Sequence, residues 1–144
     1  MYKNTLYKNT TSVRIRYNET DQMGVVYYGN YASFLEVGRT EWLRSLGTTY
    51  KLLEESGVML PVISLTCNFK KSAYYDELIT IHTILKKTPT VKIEFDYEIL
   101  NEKNELLCSA NTTLAFVNAA TMKPTRCPEY ILNKLTKNTT TQDK

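Results

Sequence analysis

The run from Thr20 to Asn30, TDQMGVVYYGN, holds the residues whose types and spacing are best suited to chemistry. Asp21 is a carboxylate in a glycine-bearing turn. About nine residues later Asn30 marks the start of an amphipathic helix, whose first N–H groups have no intrahelical partner. If the connection folds back, the carboxylate faces free backbone donors. Such a pair is suited to acyl chemistry. By residue type alone, an Asp in a turn more often serves local hydrogen bonding, so the residues by themselves leave both roles open.

The remaining titratable candidates are less suggestive. Glu36 and Glu41 lie on the same helix, where Arg39 and Arg44 at helical spacing favour solvated or ion-paired roles. His82 is the only histidine and sits mid-strand. Cys67 and Cys108 are expected on core faces as inert fillers, and Cys127, between Arg126 and Pro128, at the surface without a His to activate it. No cysteine spacing suits a metal, and an odd count of three fits a reducing, cytoplasmic setting.

The elements that position these residues follow from periodicity. Val13, Ile15 and Tyr17 alternate with Arg14 and Arg16 in a first strand from Thr11. Tyr31, Phe34, Leu35, Gly38, Trp42 and Leu46 repeat at a helical period between Asn30 as N-cap and Gly47 as stop. Burying that stripe is worth on the order of 10 kcal/mol gross. Gly38 in mid-helix costs about 1 kcal/mol against Ala, which points to close approach of helix and sheet. A Thr-capped turn or two ends at Gly57. Four strands follow: one with Ile63, Leu65, Cys67 and Phe69 on its apolar face, one around Ile79, Ile81 and Leu85, one from Val91 to Ile99, and one from Leu106 to Phe116. The last three read as a meander joined by Thr88-Pro89-Thr90 and the polar turn Asn101–Asn104. EYILNKL supports at most two helical turns. Residues 1–10 read as a loose arm and 137–144 as a disordered tail. One long helix among antiparallel strands predicts an α+β domain, a curved sheet of about five strands wrapped around the helix.

A chain of 144 residues is one domain, able to bury roughly 68–70% of its unfolded surface without a metal or disulfide. The net charge of +3 and pI near 8.7 come without the clustered basic stripe of a nucleic-acid binder. No apolar run approaches roughly 18 residues and no leader is visible, so neither a membrane span nor a secretory signal is expected. The 11 tyrosines fit an acyl pocket or a subunit interface equally well.

The run RYNETDQMGVVYYGNY followed by FLEVGRTEWLR resembles the hallmark segment of hotdog-fold acyl-CoA thioesterases of the 4-hydroxybenzoyl-CoA thioesterase type. The likeness continues in FKKSAYYDEL and at Lys123-Pro124 and Pro128, spanning about residues 12–132, with the domain set at 11–136. The resemblance implies hydrolysis of an acyl thioester to free acid and coenzyme A, with no cofactor beyond the coenzyme A of the substrate. It makes Asp21 the nucleophile or general base, the Tyr28 N–H the oxyanion donor, and Tyr17 an aromatic neighbour of the acid. Gly24 and Asn30 fall in the substrate-binding segment, and Lys86, Lys87 and Arg126 are implied as partners of the coenzyme A phosphates. Many members carry His where this chain has Tyr28 and others carry Tyr, so the side chain there need only line the pocket. The resemblance also implies a homodimer or homotetramer with the site between subunits. A non-catalytic acyl-CoA or acyl-carrier-protein binding protein of the same fold is the alternative, disfavoured by Asp21. A hydratase is disfavoured by the absence of a histidine from the segment.

Overall fold

The computed structural model describes residues 5–142, with side chains through Lys137. In chain order these are β1 (Tyr7–Arg14), α1 (Tyr31–Leu46), α2 (Tyr50–Glu55), β2 (Val58–Met59), β3 (Val62–Phe69), β4 (Leu78–Leu85), β5 (Lys92–Leu100), β6 (Leu106–Ala115), β7 (Val117–Asn118) and α3 (Glu129–Gln142). Five strands form one antiparallel sheet in the order β1-β4-β5-β6-β3, and β2 pairs with β7 apart from it. The strand, long helix, four-strand order is the expected hotdog arrangement, with the short β2–β7 ribbon as an addition.

α1 lies against the sheet through Phe34, Leu35, Trp42, Leu43 and Leu46, all buried. The Trp42 ring meets Phe95 of β5 edge-on at 4.8 Å and Tyr7 of β1 at 5.4 Å. Gly47 ends the helix in the left-handed region at φ 96°. Gly38 is where helix and sheet come closest: a Cβ there would stand 2.4 Å from Thr83 Oγ1 and 3.0 Å from Ile81 Cγ2. Gly38→Ala gains about 1 kcal/mol of helix propensity. It also forces an overpacked contact that costs about 1–3 kcal/mol. A net loss on the order of 1 kcal/mol is expected as a lower denaturant midpoint at unchanged slope, and an equal or higher midpoint would refute the close-approach reading.

Several boundaries differ from the sequence reading. The arm assigned to residues 1–10 is strand from Tyr7 onward, paired along its length from Tyr7–Leu85 to Arg14–Leu78; residues 1–4 lie outside the described residues. Hydropathy is quiet there because Lys8, Asn9 and Thr10 supply backbone ladder and little apolar surface. The strand closes at Arg14, so Tyr17 leaves the sheet for a single helical turn. α3 runs on through Gln142, past the two turns expected and into the segment assigned as tail. Ile131 and Leu135 are buried and dock its first turns. Propagation then adds one hydrogen bond per residue without needing further apolar side chains. Asp143 and Lys144 lie outside the described residues.

The largest departure is β3. Its alternation predicts a core face, yet Ile63, Leu65 and Phe69 are 52%, 49% and 51% exposed. β3 pairs only with β6 and forms one edge of the sheet. Cys67 is accordingly half-buried rather than a core filler. Cys127 is buried rather than surface-exposed, its N–H donating to Thr90 O at 2.6 Å. Burial pushes the Cys108 and Cys127 thiols up to about 12 and raises Cys67 as well. All three are therefore protonated and unreactive near neutral pH.

Candidate active site

Between β1 and α1 the chain makes a small fold-back. Thr20 bridges Val26, Asp21 N–H donates to Val25 O at 2.8 Å, and Tyr27 N–H donates to Glu19 O at 3.0 Å. Gly24, at φ 80°, supplies the left-handed turn at its tip. Val25 bridges Tyr74 and Val26 N–H donates to Ala73 O, which pins the loop to the segment entering β4. Arg16 N–H donates to Oε1 of the nearly buried Glu19 at 2.6 Å, closing the base of the loop.

Asp21 does two things here. Its Oδ1 accepts the Met23 N–H at 2.8 Å and, longer, the Val25 N–H at 3.4 Å. The local turn role is therefore real. Oδ2 has no protein partner among the described residues, and the side chain is exposed. One carboxylate oxygen orients the group and the other is free of protein partners among the described residues.

Tyr28 to Asn30 form one helical turn that runs directly into α1. Asn30 has helical φ and ψ of −79° and −12°, so its side chain cannot fold over the first turn and does not cap it. It donates instead from Nδ2 to Glu19 O at 2.8 Å, tying the helix entry to the Asp21 loop. The correction matters for chemistry. The free donors shift to Tyr28 and Gly29, whose N–H groups make no hydrogen bond among the described residues.

A cavity of about 270 Å³ opens beside this turn, lined by Val26, Tyr28, Tyr31, Phe69, Lys70, Lys71 and Ser72. Phe69 presents its ring edge-on to Tyr28 at 6.4 Å and to Tyr31 at 5.0 Å. Burial, with smaller contributions from Cys108, Cys67 and Glu77, pushes the Tyr31 phenol up to about 12, so it stays neutral. Sequence reasoning missed Tyr31, Phe69 and Lys70 as site residues. Their signal is the polar-aromatic stretch from Phe69, which apolar alternation assigns to a core strand rather than to an exposed sheet edge.

The other candidates scatter. Tyr17 is exposed at the base of the loop, edge-on to Tyr75 at 5.7 Å. Lys86 and Lys87 follow β4, paired with Asp96 and Glu94 at 3.4 and 3.7 Å. Within one chain the length of β4, on the order of 23 Å, separates them from the Asp21 loop. Arg126 is exposed in the connection to α3. His82 sits on the outer face of the sheet, with Thr10 Oγ1 at 2.7 Å from Nδ1. Glu41 pairs with Arg44, whereas Glu36 is exposed on α1 beside a second cavity.

Residues 23–108, more than half of the chain, match the family described as the thioesterase superfamily. Asp21 lies just before the matched stretch. YneP of Bacillus subtilis is 34% identical over 119 residues, 83% of this chain and 86% of that protein. The acyl-CoA thioesterase YbgC of Haemophilus influenzae is 34% identical over 121 residues, 83% of this chain and 88% of that protein. Among solved structures, DHNA-CoA thioesterase from Staphylococcus aureus superposes with a TM-score of 0.84 at 36% identity, covering 94% of this chain and 91% of that one.

Proposed function

This chain belongs to the thioesterase superfamily, and on that premise we propose that it hydrolyses an acyl-CoA to the free acid and coenzyme A at the Asp21 loop. The observation that carries the reading is the juxtaposition in the fold-back: a carboxylate with one oxygen pinned and one free, next to a turn with two unpaired N–H groups. The thioester carbonyl oxygen takes the Tyr28 and Gly29 N–H groups. Asp21 Oδ2 removes a proton from water as its oxygen attacks the carbonyl carbon. The tetrahedral oxyanion is held by the two donors. It collapses with cleavage of the C–S bond, and the departing thiolate recovers the proton. In the nucleophilic variant Oδ2 itself attacks, the thiolate leaves, and water cleaves the resulting anhydride. Both routes use the same atoms.

The test is release of free thiol by purified protein from a panel of short, long and aromatic acyl-CoAs. Turnover supports the reading. Tight binding without thiol release would favour the non-catalytic alternative.

The exposed β3 edge supports a homo-oligomer in which a second copy covers Ile63 and Leu65. Lys86, Lys87 and Arg126, remote from Asp21 within one chain, would then meet the coenzyme A phosphates from the second copy. Leu65→Lys is expected to shift the sedimenting species to monomer. Wild-type protein that sediments as a monomer at micromolar concentration would overturn the assembly. The three free cysteines favour a reducing, cytoplasmic location.

A further inference from the structure

The donor turn and the carboxylate loop meet at a single oxygen. Glu19 O accepts the Tyr27 N–H at 3.0 Å and also Asn30 Nδ2 at 2.8 Å, one for each of its lone pairs. Tyr27 immediately precedes Tyr28 and Gly29, and Asn30 immediately follows them, so the two free donors are bracketed by hydrogen bonds to one carbonyl. A third bond closes the bracket, from Asn30 N–H to Tyr27 O at 2.9 Å. The turn leaves no slack: a Cβ at Gly29 would stand 2.6 Å from Cε2 of the Tyr27 ring. Glu19 is itself held in place. Its N–H donates to Arg16 O at 3.0 Å, its Oε1 accepts the Arg16 N–H at 2.6 Å, and it is nearly buried. Asp21 follows two residues later, fixed in turn by its own N–H to Val25 O.

Asn30 supplies the side chain of this bracket. An asparagine at a helix start ordinarily turns its side chain onto the helix's own free N–H groups. Asn30, half-buried and at helical φ and ψ, directs its amide to the loop instead. A residue that served the helix alone would do the reverse. Without the amide, the Tyr27 bond still anchors the front of the donor pair, while the Gly29 side is released from the loop that carries Asp21.

We infer that Asn30 is a positioning residue for hydrolysis: through Glu19 O it sets the spacing between the Tyr28 and Gly29 donors and the Asp21 carboxylate, and it contacts no substrate. The inference rests on the reading of the Asp21 loop as the hydrolytic site, and it gives Asn30 a role other than the substrate contact that the family resemblance implies. Attack on a carbonyl held by fixed donors is sensitive to such spacing, a displacement of about 1 Å costing up to about 10²-fold. Because the Tyr27 bond persists, loss of the amide is expected to cost about 10-fold.

The experiment measures kcat and KM of Asn30→Ala in the wild-type and Asp21→Asn backgrounds, with hexanoyl-CoA and benzoyl-CoA as substrates. In the wild-type background kcat is expected to fall about 10-fold with KM within about 2-fold. In the Asp21→Asn background little further loss is expected, since a carboxylate already removed cannot be misplaced. Loss by the same factor in both backgrounds, as a general loosening of the fold would give, overturns the inference. So does a raised KM at constant kcat, the mark of a substrate contact. Should Asn30→Ala fail to fold, Asn30→Leu, of like volume and without the amide, takes its place; failure of both to fold also overturns the inference, because the tie would then support the whole domain rather than the site. Full kcat in Asn30→Ala overturns the positioning role and leaves the thioesterase reading standing, whereas a wild type that releases no thiol from these or any other acyl-CoA of the panel overturns both.

Discussion

Tyr28→Pro is expected to lower kcat by roughly 10²–10³-fold while leaving the fold intact. In the backbone, proline removes one N–H and little else at this position. Tyr28 opens a helical turn, where a missing N–H forfeits no intrahelical bond. Tyr27 before it already has φ −63° and ψ 131°, the extended conformation that a following proline requires. The phenol ring is lost as well, so Tyr28→Phe and Tyr28→Ala are the controls. If the backbone donor does the work, Phe retains the rate within a few-fold and Ala loses only what the lining ring contributes through Phe69. Because the Gly29 N–H remains, the effect belongs at the lower end of the range. A Tyr28→Pro enzyme of wild-type kcat would remove the main-chain oxyanion site from the mechanism.

Asp21→Asn is the second large effect, about 10²–10⁴-fold in kcat. The substitution separates the two duties of the side chain. An amide oxygen still accepts the Met23 N–H, so the turn and its bridge to Tyr74 persist. Only the free oxygen changes, from a base and nucleophile to an amide group that is neither. Unchanged thermal stability together with lost turnover is therefore the expected pattern. Loss of both would mean that the turn itself depended on the charge.

How far the sequence anticipates this structure depends on what each signal measures. Periodicity reports which face of an element is apolar. It located α1 and the meander because the stripes of Phe34, Leu35 and Trp42 and of Ile93, Phe95 and Tyr97 are buried within one chain. The same signal misled at β3, where Ile63 and Leu65 alternate as a core strand does but lie at a sheet edge. Apolar alternation cannot distinguish burial inside a chain from burial against another. Residue type anticipated the turn role of Asp21, which follows from a carboxylate three residues before Gly24. It missed that Asn30 adopts helical angles, which moves the free donors to Tyr28 and Gly29. Helical spacing suggests a solvated or ion-paired Glu36 with Arg39 nearby, while the depth of the Arg39 face against Tyr97 is not visible in sequence.

The central claim, that thioester cleavage depends on the Asp21 carboxylate, is tested most directly by thiol release from one turned-over acyl-CoA, measured side by side for wild type and Asp21→Asn at equal concentration. Steady release by wild type and a rate lower by at least about 10²-fold for the folded variant is the predicted result. Equal rates for the two proteins would contradict it.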